Sequence, residues 1–143
     1  MTAPITLRNE KSEAIRLAEF ARGFARENGL PDGERARLLI ILEELFTNAV
    51  AYGYAPGAAG RITVTLQRER CRLVIDFVDD GQPFDPLALP EPDFDVPDQE
   101  RAIGGLGIHI VRSLVDEARY SWEHGRNHLR LVRRIGMLSE AGD

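Results

Sequence analysis

Apolar residues recur every three or four positions in two long stretches near the N-terminus, which predicts two amphipathic helices. The first stretch, EAIRLAEFARGFARENG, ends at Gly29, a residue type common just past a helix C-terminus. The second, PDGERARLLIILEELFTNAVAYGY, begins with Pro31 and acidic residues, as helix N-termini often do, and runs to Gly53. Its unbroken apolar run LLIIL at 38–42 predicts that much of this helix is buried.

Strict alternation of apolar and polar residues predicts strands in other parts of the chain. The stretch RITVTLQRERCRLVIDFVDDG at 61–81 alternates in two blocks around RER, which predicts a β-hairpin. PITLRN at 4–9 suits a short edge strand, and HLRLVRRI at 128–135 a closing strand. GGLGIHIVRSLVDEARY at 104–120 has helical spacing. The resulting order, β-α-α-β-β-loop-α-β, predicts an α+β sandwich with helices on one face of a mostly antiparallel sheet.

The segment 76–100 differs from the rest of the chain in composition. It holds nine acidic residues, no Lys or Arg, and five of the eight prolines. Such a composition disfavours both a helix and a central strand, so we expect a mobile loop from about residue 79 onward. A long loop inside a compact domain usually covers or forms a binding site.

Length and charge narrow the class of protein. The 143 residues suit one domain, and the net charge of −5 argues against a partner such as nucleic acid or an anionic membrane. No apolar stretch approaches the roughly 20 residues of a membrane span, and the N-terminus lacks the pattern of a signal peptide. The single cysteine, Cys71, excludes an internal disulfide. We therefore expect a small acidic domain of the cytoplasm.

Two polar residues interrupt the apolar second helix. Glu44 and Asn48 are four positions apart, so they share one helical face. Because burying a carboxylate without partners costs several kcal/mol or raises its pKa, the two fit a face that lines a polar cavity. There the carboxylate could act as a base and the amide oxygen could bind Mg²⁺. On their own, they fit a solvated helix stripe equally well.

Two further stretches could bind parts of a nucleotide. In DFVDDGQPFDP, Asp79 and Gly81 lie at the end of a predicted strand. An Asp shortly before a Gly is common in ordinary turns. Alternatively, the Asp79 carboxylate could accept a hydrogen bond from the adenine amine and so favour adenine over guanine. In GGLGIHIV, glycines at a helix start expose backbone N–H groups that suit an anion. Ile110 replaces the last glycine of a dinucleotide fingerprint, and no Gly-Lys-Ser/Thr of a P-loop occurs.

Taken together, an E-x-x-x-N helix, a D-x-G strand end and a glycine-entered helix in this order resemble the N, G1 and G2 boxes of the GHKL, or Bergerat-fold, ATPases. The small size and the closing VDEARYSWEHGRNHLRLVRR resemble their anti-sigma serine-kinase branch, over roughly residues 5–135. The resemblance implies a two-layer α/β sandwich of the Bergerat type. It also implies a single ATP-binding domain over 1–143, with an ATP lid at about 87–103.

The resemblance also implies roles for individual residues. Glu44 is the expected general base, Asn48 the ligand of Mg²⁺, and Asp79 the reader of the adenine amine, with Gly81 beneath the base. The expected phosphate and nucleotide contacts are Arg101, Gly104, Gly105, Leu106 and Gly107. The side chains of Leu106, Ile108, Ile110 and Val111 are interpreted mainly as core.

The implied function is that of an ATP- and Mg²⁺-dependent Ser/Thr kinase that also sequesters a sigma factor. Its substrate would be a STAS-domain antagonist, and a homodimer is possible. Two alternatives remain: a nucleotide-gated binding module without catalysis, and a detached histidine-kinase domain whose phosphoacceptor lies on another chain. Tyr52, where many relatives have His, and Pro83, at the second glycine position of D-x-G-x-G, depart from the family pattern.

Overall fold

Five antiparallel strands form one sheet in the computed structural model, which describes residues 2–89 and 105–136. The strands lie in the order β1-β2-β3-β5-β4, so the last hairpin joins the sheet next to β3. Their bounds are β1 Thr2–Arg8, β2 Arg61–Glu69, β3 Arg72–Asp79, β4 Glu117–Glu123 and β5 Arg126–Arg134. The predicted α+β class with an antiparallel sheet is confirmed.

Three helices cover one face of this sheet. They are α1 Ala14–Glu27, α2 Asp32–Tyr52 and α3 Gly105–Leu114, with short 3-10 turns at Lys11–Glu13 and Pro86–Ala88. Alternation along β2 buries Ile62, Val64 and Leu66 completely beneath the helices. The neighbouring strands repeat this pattern, because Val64 pairs with Phe77 and Leu66 with Ile75. The core therefore lies between the helices and one side of the sheet.

The apolar run of α2 is buried on one side only. Leu38, Ile41 and Leu42 are at most 1% exposed, whereas Ile40 is 41% exposed. Glu43 is also exposed, because adjacent helical residues point in different directions. The apolar composition of α2 therefore predicts more burial than the structure shows.

The predicted helix at 104–120 is wrong beyond Leu114. Glu117–Glu123 forms the edge strand β4, which pairs with β5 and places Tyr120 opposite Leu129. The turn between them has positive φ at His124 and Gly125, 54° and 74°, which matches the twist of a tight hairpin. Ala118 continues the helical spacing of Leu114 and Val115, and this extended the predicted helix too far; Ala118, Tyr120 and Trp122 alternate with polar residues, which is the strand pattern.

The segment after β3 begins as ordered chain. Leu87 and Leu89 pack, partly buried, against the core, and Arg112 of α3 donates to the Leu87 carbonyl at 3.3 Å. The start of the predicted lid is therefore attached to the domain, and the rest of it, residues 90–103, lies outside the described residues. Within the described ranges, no helix has both the length and the hydropathy needed to cross a membrane.

Candidate functional site

A pocket lies between α2, α3 and one end of the sheet. Including its mouth, it encloses about 470 Å³. Apolar side chains form most of its wall, and a few polar groups face into it. The lining residues are Leu45, Asn48, Ala49, Gly53, Phe77, Asp79, Gln82, Phe84, Pro86, Ile108, Tyr120, Asn127 and Leu129. This combination of apolar walls and few polar groups is typical of small-molecule sites.

Asp79 lies at the floor of the pocket, on the helix-facing side of β3. Its Oδ1 accepts hydrogen bonds from the Gly81 N–H and from Asn127 Nδ2, both at 2.9 Å. Burial raises the pKa of Asp79, although these two donors oppose the change. Since both donors use Oδ1, Oδ2 accepts no hydrogen bond from the described residues and can accept one from a ligand.

Asn127, which sequence reasoning did not select, holds Asp79 in place. It is 6% exposed, and its Nδ2 also donates to the Gln82 carbonyl at 2.8 Å. Its Oδ1 accepts from the Phe84 N–H at 2.9 Å and from the Tyr120 hydroxyl at 2.5 Å. The amide therefore links β3, β4, β5 and the loop that follows β3. The sequence does not indicate this role of Asn127, because its contacts form only when β5 pairs with β3.

The end of α2 is attached to the loop that follows Asp79. Gln82 N–H donates to the Gly53 carbonyl at 2.7 Å, and a Cβ at Gly81 would collide with that same carbonyl. Tyr54 adds a second connection, since its hydroxyl donates to Asp80 at 2.8 Å. Gly81 is therefore required for the close approach of two backbones, in addition to its expected place beneath a ligand.

Glu44 and Asn48 meet the first turn of α3. A Cβ at Gly107 would collide with the Glu44 carboxylate and would lie 3.5 Å from Asn48 Nδ2. That Nδ2 is the one buried side-chain polar atom in the described chain that lacks a hydrogen-bond partner. An unpartnered buried amide costs about 1–3 kcal/mol, which a bound ligand would recover. Asn48 lines the pocket, whereas Glu44 lies beside it at α3.

These residues fit Mg·ATP. No group of three or more His, Cys, Asp or Glu side chains converges on a metal position in the part of the chain that the structure describes. Mg²⁺ keeps several waters and takes phosphate oxygens as ligands, so one protein oxygen from Asn48 is sufficient. The unpartnered Nδ2 of Asn48 is a donor, so it suits an acceptor such as a phosphate oxygen of the nucleotide, and the space beside Gly107 is filled by the Glu44 carboxylate.

The first turn of α3 contains Gly105, Leu106 and Gly107, whose N–H groups have no partner within the helix. Leu106 is 40% exposed, so its interpretation as a core residue is wrong, whereas Ile108 and Val111 are buried. The cause is helical geometry, which turns only one side of α3 toward the core. Gly104 and Arg101 lie outside the described residues.

Known proteins are similar to this chain in sequence. The profile of the histidine kinase-like ATPase domain matches residues 7–133. The serine/threonine-protein kinase BtrW of Bordetella bronchiseptica is 27% identical over 98 residues, which cover 68% of this chain and 69% of BtrW. The serine-protein kinase RsbW of Bacillus licheniformis is 29% identical over 109 residues, covering 72% of this chain and 67% of RsbW.

A solved structure gives the same fold. The crystal structure of the RsbU and RsbW domains of Rv1364c from Mycobacterium tuberculosis superposes with a TM-score of 0.65 at 20% identity. The match covers 97% of this chain and 35% of the other, so this chain spans about a third of that longer one. The relatives in this comparison are serine-protein kinases, and by the family profile the chain belongs to the histidine kinase-like ATPase domain family.

Proposed function

We propose that this protein is a cytoplasmic ATP-binding regulator, an anti-sigma factor that phosphorylates a Ser or Thr of a STAS-domain antagonist. The proposal rests on one observation: two polar groups of the same pocket are available to a ligand. Asp79 presents an oxygen without a partner at the floor, and Asn48 presents an amide without a partner at the wall. The names of the relatives support the kinase class.

Each part of the pocket suits one part of the nucleotide. The carboxylate oxygen Oδ2 of Asp79 would accept a hydrogen bond from the adenine amine, and guanine, which has a carbonyl there, would leave Asp79 unpaired. Asn48 would hold Mg²⁺ through its amide oxygen. The N–H groups of Gly105, Leu106 and Gly107 would receive phosphate oxygens at the positive end of α3. Bound Mg·ATP would supply the transferable γ-phosphoryl group.

Glu44 would act as the base. It accepts the proton of the partner's hydroxyl while that oxygen bonds to the γ-phosphorus and ADP leaves with the electrons of the broken bond. Phosphoryl transfer of this kind depends on positioning and charge neutralisation, so the partner supplies the only nucleophile required.

Thermal unfolding with Mg·ATP, Mg·ADP and ATP with EDTA tests nucleotide binding. A ligand at about 100 times its Kd should stabilise the native state by roughly 2.7 kcal/mol. Asn48→Ala should lose the Mg²⁺-dependent part of this stabilisation. If no nucleotide shifts the unfolding of the wild-type protein, the proposed nucleotide site is wrong.

Transfer of radiolabel from ATP to a purified STAS-domain protein tests the kinase step. Glu44→Gln should retain Mg·ATP binding and lose transfer by at least about 100-fold, within the range for a general base. Glu43→Gln, at the neighbouring exposed position, is the matched control and should transfer normally. Equal transfer by Glu44→Gln and wild type would exclude Glu44 as the base.

A nucleotide-gated binding module is the second candidate. The observation that favours it is the position of the Glu44 carboxylate, which lies against Gly107 and outside the pocket lining. This candidate predicts that affinity for a sigma factor or STAS partner changes with nucleotide while no label is transferred.

A further inference from the structure

The open face of the sheet, opposite the three helices, is rich in arginine although the chain as a whole has a net charge of −5. The strand registers place seven arginines and four carboxylates on this face. The arginines are Arg8, Arg61, Arg72, Arg119, Arg126, Arg130 and Arg134. The carboxylates are Glu69, Asp76, Glu117 and Glu123. Two further carboxylates lie at the edge of this face, Glu10 beside Arg8 and Asp80 beside Arg61, so the local excess of positive charge is small.

Six of these arginines stand directly opposite one another across neighbouring strands. The three pairs are Arg8 with Arg61, Arg72 with Arg134, and Arg119 with Arg130. Like charges in directly opposed positions destabilise a sheet. Folding alone therefore disfavours this arrangement.

One arginine of each pair is neutralised by a nearby carboxylate. Arg72 bonds Glu69 at 2.8 Å, and Arg130 bonds Asp76 at 2.8 Å. Arg8 likewise bonds Glu10 at 3.4 Å.

The other arginine of each pair has no such carboxylate partner among the described residues. Arg61, Arg119 and Arg134 form no side-chain ion pair within residues 2–89 and 105–136, and all three are exposed. Each of the three arginine pairs therefore leaves one guanidinium group available.

The centre of the open face is apolar. Val74 and Val132 pair directly across β3 and β5, and they are only 3% and 5% exposed. They lie outside the main core between sheet and helices. Their neighbours on this face include Arg72, Arg130 and Arg134, whose hydrocarbon stems can cover them. Because they are already covered, the surface that this face offers to a partner consists of the surrounding polar and charged side chains.

From these three available guanidinium groups, we infer that the open face of the sheet binds an acidic segment of a partner protein. Carboxylates of such a segment would neutralise Arg61, Arg119 and Arg134. Nucleic acid fits less well, because a few separate guanidinium groups on a chain of net charge −5 do not form the continuous basic footprint that phosphates need. A second copy would bring two arginine-rich faces together. The inference does not depend on nucleotide binding or kinase activity.

The test replaces the three available arginines by threonine, a residue favoured in strands. A short fluorescent poly-glutamate peptide serves as the acidic probe, and fluorescence anisotropy measures its affinity. The triple variant Arg61→Thr, Arg119→Thr, Arg134→Thr should bind the peptide about tenfold or more weakly, with a reduced salt dependence.

The control variant removes three exposed cations from the helical side, Lys11→Gln, Arg22→Gln and Arg26→Gln, and so has the same net charge. It should bind the peptide like wild type. Equal loss in both variants would mean that only net charge matters. That result overturns the inference, as does wild-type protein that does not bind the peptide.

Two further measurements separate the alternatives. Tighter binding of a duplex DNA than of poly-glutamate, lost in the threonine variant, would assign the face to nucleic acid. A dimer in sedimentation that dissociates in the threonine variant would assign it to a second copy. Either outcome would contradict an acidic protein partner.

Discussion

Asn127 lies beneath the pocket and uses both ends of its amide. Two hydrogen bonds to its Oδ1 come from Phe84 and Tyr120, and two from its Nδ2 go to Asp79 and Gln82. Because a buried amide with all of these partners cannot rotate without losing several of them, it fixes which carboxylate oxygen of Asp79 faces the pocket. Asn127 is therefore a positioning residue for the expected adenine contact.

Replacing this amide should affect both stability and binding. Asn127→Ala leaves several buried groups without partners, so we expect a loss of about 1–3 kcal/mol in the free energy of unfolding, measured with urea. Calorimetric titration should show ATP affinity at least about tenfold weaker, because Asp79 is no longer held. Gln67→Ala, on the open face of β2, should leave ATP affinity unchanged. Unchanged ATP affinity in a folded Asn127→Ala protein would contradict the positioning role.

At the scale of elements, α3 approaches α2 through a glycine. Gly107 occupies the first turn of α3, and the Glu44 carboxylate lies where its Cβ would be. The obstructing atom is the end of a flexible side chain, so an added methyl group would displace Glu44 and leave the backbones in place. Gly107 is expected to matter for the placement of the base more than for folding.

Gly107→Ala should therefore separate stability from activity. Alanine favours helix over glycine by up to about 1 kcal/mol, so thermal unfolding should occur at an equal or higher temperature. Phosphotransfer should fall about tenfold or more, since Glu44 is displaced. Gly136→Ala is the matched control, because no atom of the described residues lies within 4 Å of a Cβ there. Normal phosphotransfer by Gly107→Ala would show that the close contact between Gly107 and Glu44 has no catalytic role.

At the scale of the whole molecule, one ion pair joins the beginning of α2 to the end of the sheet. Arg133 of β5 donates to both oxygens of Glu34, at 2.7 and 3.0 Å, although 99 residues separate the two in sequence. Arg133 also donates to the Leu114 carbonyl of α3 at 2.6 Å. These hydrogen bonds from Arg133 hold the pKa of Glu34 below its ordinary value. The pair therefore connects three elements across the helical side of the sheet.

This pair should make stability depend on pH in a defined direction. Because the pKa of Glu34 is lower in the folded state, its contribution is present above the ordinary value of 4.5 and is lost as pH falls through the folded value. At pH 7, Glu34→Gln should cost about 1–3 kcal/mol in urea unfolding. The difference from wild type should shrink below pH 4.5. The exposed carboxylate of Glu19 provides the control Glu19→Gln, and a pH-independent difference for Glu34→Gln would contradict the assignment.

Local patterns in the sequence were sufficient to predict the helices α1 and α2, the β2–β3 hairpin and the antiparallel α+β class. They were also sufficient to select Glu44, Asn48, Asp79 and the glycines at the start of α3 as candidates. Each of these features depends on residues a few positions apart, and backbone geometry converts such spacings directly into faces and turns.

The tertiary structure alone decided which distant residues meet. It turned the end of the predicted helix into β4, paired Asn127 with Asp79 across 48 positions, and set three arginines opposite three others on the open face. The seven residues of β4 do alternate as a strand should, but the helical spacing that leads into them ends only at Ala118, so the boundary between α3 and β4 was misplaced. The partners in these contacts are chosen by strand register and packing, because burial and hydrogen bonding are satisfied for the whole sheet at once.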